Sequence, residues 1–256
     1  PTRTLLLERP AGAAADPPEM TGRLGAAAQR FLAGEAFEPD RFQIEAIGAI
    51  ERGASVVVTA PTGSGKTLVA EAAIEIALAA GSRAFYTTPI KALSNQKFAD
   101  LRQAYGDDAV GLLTGDNVIN GDAPIVVMTT EVLRNMIYAE SAALEGLAVV
   151  VLDEVHYLQN RYRGSVWEEI IIHLPREVAV VSLSATIANP EEFTSWVRSR
   201  RGTTDLVVET DIQWLGEGAD EQELVQAIPN FPLKVGDTFV HKTYEDGKAE
   251  LQDLDR

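Results

Sequence analysis

The sequence predicts an α/β fold in which a mostly parallel sheet is covered by helices on both faces. Apolar, β-branched runs typical of strands alternate with stretches of helical periodicity along the chain. Residues 147–152 form a continuous apolar run, and residues 178–183 form another that only Ser182 interrupts, as expected of strands buried on both faces. This βαβα order favours a parallel sheet, because each crossover helix returns the chain to the same edge.

A glycine-rich turn, APTGSGKT at residues 60–67, lies between a predicted strand at 55–59 and a helix that begins near Lys66. Gly63 and Gly65 let the backbone curl so that successive N–H groups point at one anion, and the helix start adds its positive dipole end. This order predicts a phosphate-binding P-loop, although Ala60 stands where the pattern usually has glycine. The alternative is a surface turn that precedes a helix by chance.

The side chains of the predicted P-loop have distinct roles. Lys66 would reach the β- and γ-phosphates of a nucleotide, and the Thr67 hydroxyl would bind Mg²⁺. The other contacts to the nucleotide would come from Thr62, Gly63, Ser64 and Gly65.

A predicted helix before the P-loop strand carries a further candidate contact. Asp40 can cap this helix, whose apolar face includes Phe42 and Ala46. Gln43 lies 23 residues before Lys66, and its amide can pair with the edge of an adenine base. Taken alone, Gln43 fits an ordinary helix surface, and only the P-loop downstream favours the adenine contact.

An acidic pair, Asp153 and Glu154, closes the apolar strand at 147–152. Beside a P-loop, Asp153 would hold Mg²⁺, and Glu154 would orient and deprotonate the water that attacks the γ-phosphate. The alternative is a helix N-terminus that carries acids for dipole reasons. Polar clusters also follow the predicted strands that end near residues 88, 114, 128 and 184, and ligands gather at such carboxyl ends.

Composition narrows the class of protein. The chain has no cysteine, which excludes disulfides and thiolate metal sites, and no apolar run near the ~18 residues of a membrane span. Residues 1–7 are too short an apolar block for a secretory signal, so we expect a cytoplasmic protein without a membrane partner. The net charge of −16 disfavours a protein whose whole surface is basic and binds nucleic acid. Residues 211–256 carry 11 acidic and 4 basic side chains, however, so nearly half of the negative excess lies in this segment. A local basic groove elsewhere remains compatible with the sequence.

The motifs together resemble the first motor domain of a superfamily 2 helicase of the Ski2-like group. The resemblance extends over residues 37–208 and rests on residues 42–43, 60–67, 88–97, 113–116, 128–134, 153–156 and 184–186. Residues 89–97, 166–169 and 188–193, with Trp196, are specific to the Ski2-like group.

The resemblance implies a RecA-like fold that binds ATP and Mg²⁺ and moves on single-stranded RNA or DNA. Gln43 would then read adenine, and Phe42 would help to position the base. The residues implied to line the nucleic-acid strand are Thr88, Pro89, Lys91, Gln96, Thr114, Gly115, Thr130 and Arg134. The resemblance also implies that His156, Ser184 and Thr186 couple the state of the bound nucleotide to the residues that line this strand.

The expected organisation is an N-terminal extension (1–35), a RecA-like domain (36–210) and an acidic tail (211–256) that loosely resembles a small β module. A helicase of this group also needs a second RecA-like domain with an arginine finger, and no signature of one follows Arg200. Two functions therefore remain open. The chain is either the motor piece of an ATP-dependent helicase or a truncated, non-catalytic module that binds nucleic acid or a partner.

Overall fold

The computed structural model describes residues 23–155, 164–185, 187 and 189–208. The helices there are α1 (Ala26–Ala33), α2 (Arg41–Glu51), α3 (Lys66–Ala79), α4 (Lys91–Tyr105), α5 (Thr130–Tyr138), α6 (Gly164–His173) and α7 (Pro190–Arg201). The strands are β1 (Ser55–Thr59), β2 (Arg83–Thr88), β3 (Val110–Thr114), β4 (Asn117–Ile119), β5 (Ile125–Thr129), β6 (Leu147–Leu152), β7 (Ala179–Ser184) and β8 (Thr204–Val208). Residues 1–22 of the predicted extension (1–35) and all of the predicted tail (211–256) lie outside the described residues.

The strands form one sheet in the order β4-β3-β5-β2-β6-β7-β1-β8. Every neighbouring pair is parallel except β3 and β4, which form an antiparallel hairpin at one edge. The two apolar runs of the sequence are β6 and β7, and they lie side by side near the middle of the sheet. The predicted α/β fold with a mostly parallel sheet is confirmed.

Alternate residues of the strands face two separate hydrophobic layers. On one face, side chains such as Val58 and Val151 pack against Phe42 of α2, Val69 of α3 and Phe98 of α4. On the other face, residues from the same strands pack against helices α5, α6 and α7, whose core side chains include Leu133, Trp167 and Val197. Both faces of the sheet are therefore covered, as the sequence predicts.

Helix α1 adds a smaller outer layer. Its Ala28 and Leu32 pack against Ile44 of α2 and Leu68 of α3, so this part of the predicted extension contacts the domain. No helix in the described part of the chain is long and apolar enough to cross a membrane.

Candidate active site

The carboxyl ends of the parallel strands lie at one edge of the sheet, and the predicted site residues at this edge fall into two groups. The turn after β1, Ser184 at the end of β7 and Asp153 after β6 are neighbours, because these three strands are adjacent. The next strands, β2, β5 and β3, end at Thr88, Thr129 and Thr114. Residues predicted to bind nucleotide thus occupy one part of this edge, and residues predicted to bind a nucleic-acid strand occupy the other.

The turn between β1 and α3 has the backbone that an anion cradle requires. Gly63 and Gly65 have φ of +87° and +80°, in the left-handed region that glycine adopts readily. Helix α3 begins at Lys66, so its unpaired N–H groups face the turn. The Lys66 ammonium donates hydrogen bonds to the carbonyls of Ala60 (2.5 Å) and Pro61 (2.6 Å), and therefore lies over the loop that would hold the phosphates.

Gln43 is buried (2% exposed), and both ends of its amide contact protein. Its Oε1 accepts the N–H of Asp40 at 2.8 Å, and its Nε2 donates to the Gly65 carbonyl at 3.0 Å. The same residue thus caps the start of α2 and anchors the P-loop. The adenine contact stays a prediction.

The structure places Phe42 and Phe37 in opposite environments. Phe42 is 2% exposed and belongs to the core under α2, so in this arrangement its ring has no face open to a base. Phe37, which no sequence motif singles out, is 53% exposed. It lies only three residues before Asp40, within about 10 Å of chain from the segment that contacts the P-loop. We expect this exposed ring, three residues before Asp40, to be available for packing against a nucleotide base.

The acidic pair after β6 is held by specific contacts. Asp153 Oδ2 accepts a hydrogen bond from the Tyr86 hydroxyl at 2.6 Å, and Asp153 Oδ1 accepts one from the Glu154 N–H at 2.9 Å. Burial, and then the Asp153 carboxylate, raise the pKa of Tyr86 well above its ordinary value, so the phenol remains a donor. Tyr86 was not among the residues predicted from the sequence, and its contact with Asp153 places it in the site.

Glu154 has an unusual backbone for a residue with a side chain. Its φ is +57°, in the left-handed region where non-glycine residues cost of the order of 1–3 kcal/mol. Such strain collects at functional sites, and here it falls on the predicted general base.

The donor set fits a magnesium ion that is bound mainly through a nucleotide. Asp153 and Thr67 offer one carboxylate and one hydroxyl, which are hard oxygen ligands, and Ser64 Oγ is a buried oxygen with no hydrogen-bond partner among the described residues. Within the described ranges, no group of three or more His, Cys, Asp or Glu side chains could hold a metal. This arrangement suits Mg²⁺, which binds proteins through one or two ligands plus phosphates and waters.

Several residues predicted to line a nucleic-acid strand are buried. The hydroxyl of Thr88 donates to the Ile90 carbonyl at 3.0 Å, and that of Thr114 donates to Asp116 at 3.1 Å. Thr130 donates to Glu131 at 3.3 Å. The buried members of the set are Thr88, Pro89, Thr114 and Thr130. The hydroxyls of the three threonines are therefore already bonded to protein atoms near the strand ends.

The other predicted strand contacts reach the surface. Lys91, Gln96 and Gly115 are exposed, and Arg134 is half-buried. Lys91 forms a 2.5 Å ion pair with Asp116, and Arg134 lies 3.8 Å from Glu169. A phosphate backbone would have to compete with these carboxylates, and an exposed pair such as Lys91–Asp116 contributes only about 0–1 kcal/mol.

Of the residues predicted to couple the two parts of the edge, the structure describes Ser184 alone. It is fully buried at the end of β7, and its carbonyl accepts the N–H of Ala60 at 3.2 Å. His156 and Thr186 lie outside the described residues.

Comparisons with known proteins agree with this geometry. The model of the DEAD/DEAH box helicase family matches residues 40–193. The chain is 60% identical over 180 residues to the probable helicase HelY of Mycobacterium leprae, which covers 70% of this chain and 20% of HelY. It is 56% identical over 180 residues to the DExH-box ATP-dependent RNA helicase DExH15 of Arabidopsis thaliana (68% and 15% covered). It is 49% identical over 175 residues to the human Superkiller complex protein 2 (68% and 14% covered).

These relatives confirm the resemblance to Ski2-like helicases. The chain spans about a fifth of the length of HelY and a smaller share of the other two proteins. Among solved structures, the DUF1998 helicase MrfA bound to DNA has a TM-score of 0.60 at 23% identity, over 74% of this chain and 30% of MrfA. A hypothetical ATP-dependent RNA helicase from Sulfolobus tokodaii has a TM-score of 0.56 at 23% identity, over 73% and 57% of the two chains. At this identity the likeness establishes the fold.

Proposed function

The chain belongs to the DEAD/DEAH box helicase family, and from that premise we propose that it is the ATP-binding motor domain of a helicase that moves on single-stranded RNA or DNA. The observation that carries the proposal is the placement of the P-loop and the Asp153–Glu154 pair on strands β1 and β6, with only β7 between them. This spacing lets one nucleotide contact both. Either motif alone would be a weaker indication.

The residues of the site divide the work of phosphoryl transfer. Lys66, the N–H groups of the turn and the start of α3 bind the phosphates, while Thr67 and Asp153 hold Mg²⁺. When bound, the metal neutralises charge on the phosphate oxygens. Glu154 accepts the proton of the attacking water, which is a step that general-base catalysis accelerates by about 10²–10⁴.

The second part of the strand edge is proposed to bind a single strand of nucleic acid. Helices α4 and α5 both begin at this edge, so their first N–H groups can bind backbone phosphates without reading the sequence. Lys91, Gln96, Gly115 and Arg134 supply the accessible surface. A strand bound in this way needs only a local cationic groove, which reconciles nucleic-acid binding with an acidic chain.

A second RecA-like domain is the expected partner of this one, either in the intact protein or from another chain. An arginine finger from that domain would contribute about 10³–10⁵ in rate. The chain by itself is therefore expected to bind ATP, bind single strands weakly, hydrolyse ATP slowly and leave duplexes intact.

ATP turnover under single-turnover conditions, with the chain in excess, tests the proposal. We expect slow hydrolysis that rises when single-stranded RNA or DNA is added, and comparison of the two indicates the preferred substrate. Glu154→Gln serves as the control, because it retains Asp153 and Thr67 and should bind ATP while losing turnover. ATP binding with no turnover at any nucleic-acid concentration would contradict the motor function and favour the non-catalytic binding module.

A further inference from the structure

Tyr86 occupies a place in the site that the proposed roles do not use. It lies in the middle of β2, beside β6, and its side chain is 1% exposed. The register pairs it with Val151, two residues before Asp153. Because side chains in a strand lean along the strand direction, the long phenol reaches past Leu152 to the carboxylate of Asp153.

The contact fixes the orientation of the Asp153 carboxylate. The Tyr86 hydroxyl donates to Oδ2 at 2.6 Å, while the Glu154 N–H donates to Oδ1 at 2.9 Å. Among the described residues, each carboxylate oxygen therefore has one hydrogen-bond donor, and each has a further acceptor direction for a metal-bound water. Without the hydroxyl, the contacts in the described part of the chain would hold the carboxylate at one oxygen, and it could rotate about its terminal torsion, which has a broad energy minimum.

The ring of Tyr86 has a contact of its own, with a lysine side chain. The Lys97 ammonium lies 5.8 Å from the ring centroid, within the range of a cation–π interaction. Lys97 belongs to α4, the helix whose start carries Lys91. Replacing the tyrosine by phenylalanine keeps the ring and this contact, so that substitution removes the hydroxyl alone.

We propose that Tyr86 is a positioning residue for the metal site, whose hydroxyl holds Asp153 in the orientation that Mg²⁺–nucleotide binding needs. This inference rests on the proposed function, since it requires Asp153 to serve Mg²⁺. Partners that orient a metal ligand typically change metal affinity or activity by about 10–100-fold when they are removed.

The test is a Mg²⁺ titration of the chain with a fluorescent, non-hydrolysable ATP analogue at fixed concentration. For Tyr86→Phe we expect the Mg²⁺ concentration at half-maximal effect to rise by about tenfold or more. The affinity for the analogue in excess EDTA and the melting temperature should remain near those of the parent chain. A purely structural hydroxyl would change the melting temperature and leave the metal dependence unaltered.

Tyr105→Phe is the matched control. Tyr105 is a second partly buried tyrosine, on α4, and its hydroxyl also interacts with a carboxylate, that of Glu75, away from Asp153. Its substitution removes the same atom and should leave the Mg²⁺ dependence unchanged.

The outcomes separate the two proposals. If the parent chain binds the analogue without any Mg²⁺ dependence, the proposed function fails. If the parent chain shows the dependence and Tyr86→Phe shows the same one, only the role of Tyr86 is overturned. A Tyr86→Phe chain that does not fold would assign the hydroxyl to stability and would likewise overturn the inference.

Discussion

Gln43 and Gly65, 22 positions apart in the sequence, are joined by a 3.0 Å hydrogen bond from the glutamine amide to the glycine carbonyl. A Cβ atom at Gly65 would lie 2.6 Å from Gln43 Nε2, closer than real Cβ contacts come. The positive φ favours glycine at position 65, and any larger residue there would also have to displace the end of the Gln43 side chain. This hydrogen bond links the first turn of α2 to the P-loop.

We predict that Gly65→Ala loses nucleotide affinity because it displaces Gln43 from the P-loop. Gly53→Ala is the control, since Gly53 has a similar φ of +77° but open space where the alanine Cβ would lie. Both substitutions should cost about 1–2 kcal/mol of folding stability from the left-handed backbone. Only Gly65→Ala should weaken ATP binding, as measured by fluorescence titration. Equal losses of affinity in both variants would contradict this account of the contact.

Phe37 and Phe42 should separate ligand binding from stability. Phe42→Ala opens a cavity in the core under α2 and should cost about 3–5 kcal/mol in the free energy of unfolding, as measured by urea denaturation. Phe37→Ala removes a largely exposed ring and should leave stability within about 0.5 kcal/mol. We expect Phe37→Ala to weaken binding of ATP while the affinity for inorganic triphosphate stays the same. An unchanged ATP affinity would show that Phe37 does not contact the base.

Arg201 should be a large contributor to stability outside the site. Its buried guanidinium donates to the carbonyls of Leu174, Pro175 and Val178, which fixes the loop that leads into β7. Burial lowers the pKa of Arg201 from its ordinary value, and the side chain remains charged at neutral pH because that value is very high. Arg201→Met leaves these carbonyls without their donor and should cost about 2–4 kcal/mol.

The matched control for this prediction is Arg200→Met, which makes the same change in net charge at an exposed position. Its cost should be within about 0.5 kcal/mol by urea denaturation. Similar midpoints for the two variants would show that the carbonyl contacts of Arg201 contribute nothing.

Strands and motifs that depend on local pattern were predictable from the sequence. The apolar runs that became β1, β6 and β7 need two buried faces, and the P-loop needs its glycines, so both leave a direct trace in the residue order. The edge strands β4 and β8 leave a weaker trace. β4 is only three residues long, and all three are exposed, so no alternation of buried apolar residues marks it.

Contacts between distant residues were not predictable in the same way. Polar residues at strand ends were predicted to line a nucleic-acid strand, and this stays a prediction. The sequence did not indicate that the hydroxyls of Thr88, Thr114 and Thr130 bond to nearby protein atoms. Tyr86 looks like an ordinary β-strand aromatic, and its contact with Asp153 exists only because β2 and β6 are neighbours in the sheet. Tyr86 and Asp153 are 67 positions apart in the sequence, so no local pattern indicates that they are in contact.

The most direct test of the central claim is a titration of ATP and Mg²⁺ into the chain and into Lys66→Ala. The Lys66 ammonium lies over the P-loop and should make charge-assisted hydrogen bonds to phosphate, each contributing about 1.5–3 kcal/mol. We predict that the parent chain binds ATP and that Lys66→Ala binds it roughly tenfold to a hundredfold more weakly. Lys91→Ala, the control at an exposed lysine outside the P-loop, should bind ATP as the parent chain does. An ATP affinity that is unchanged in a folded Lys66→Ala chain would contradict the P-loop assignment and the motor function that rests on it.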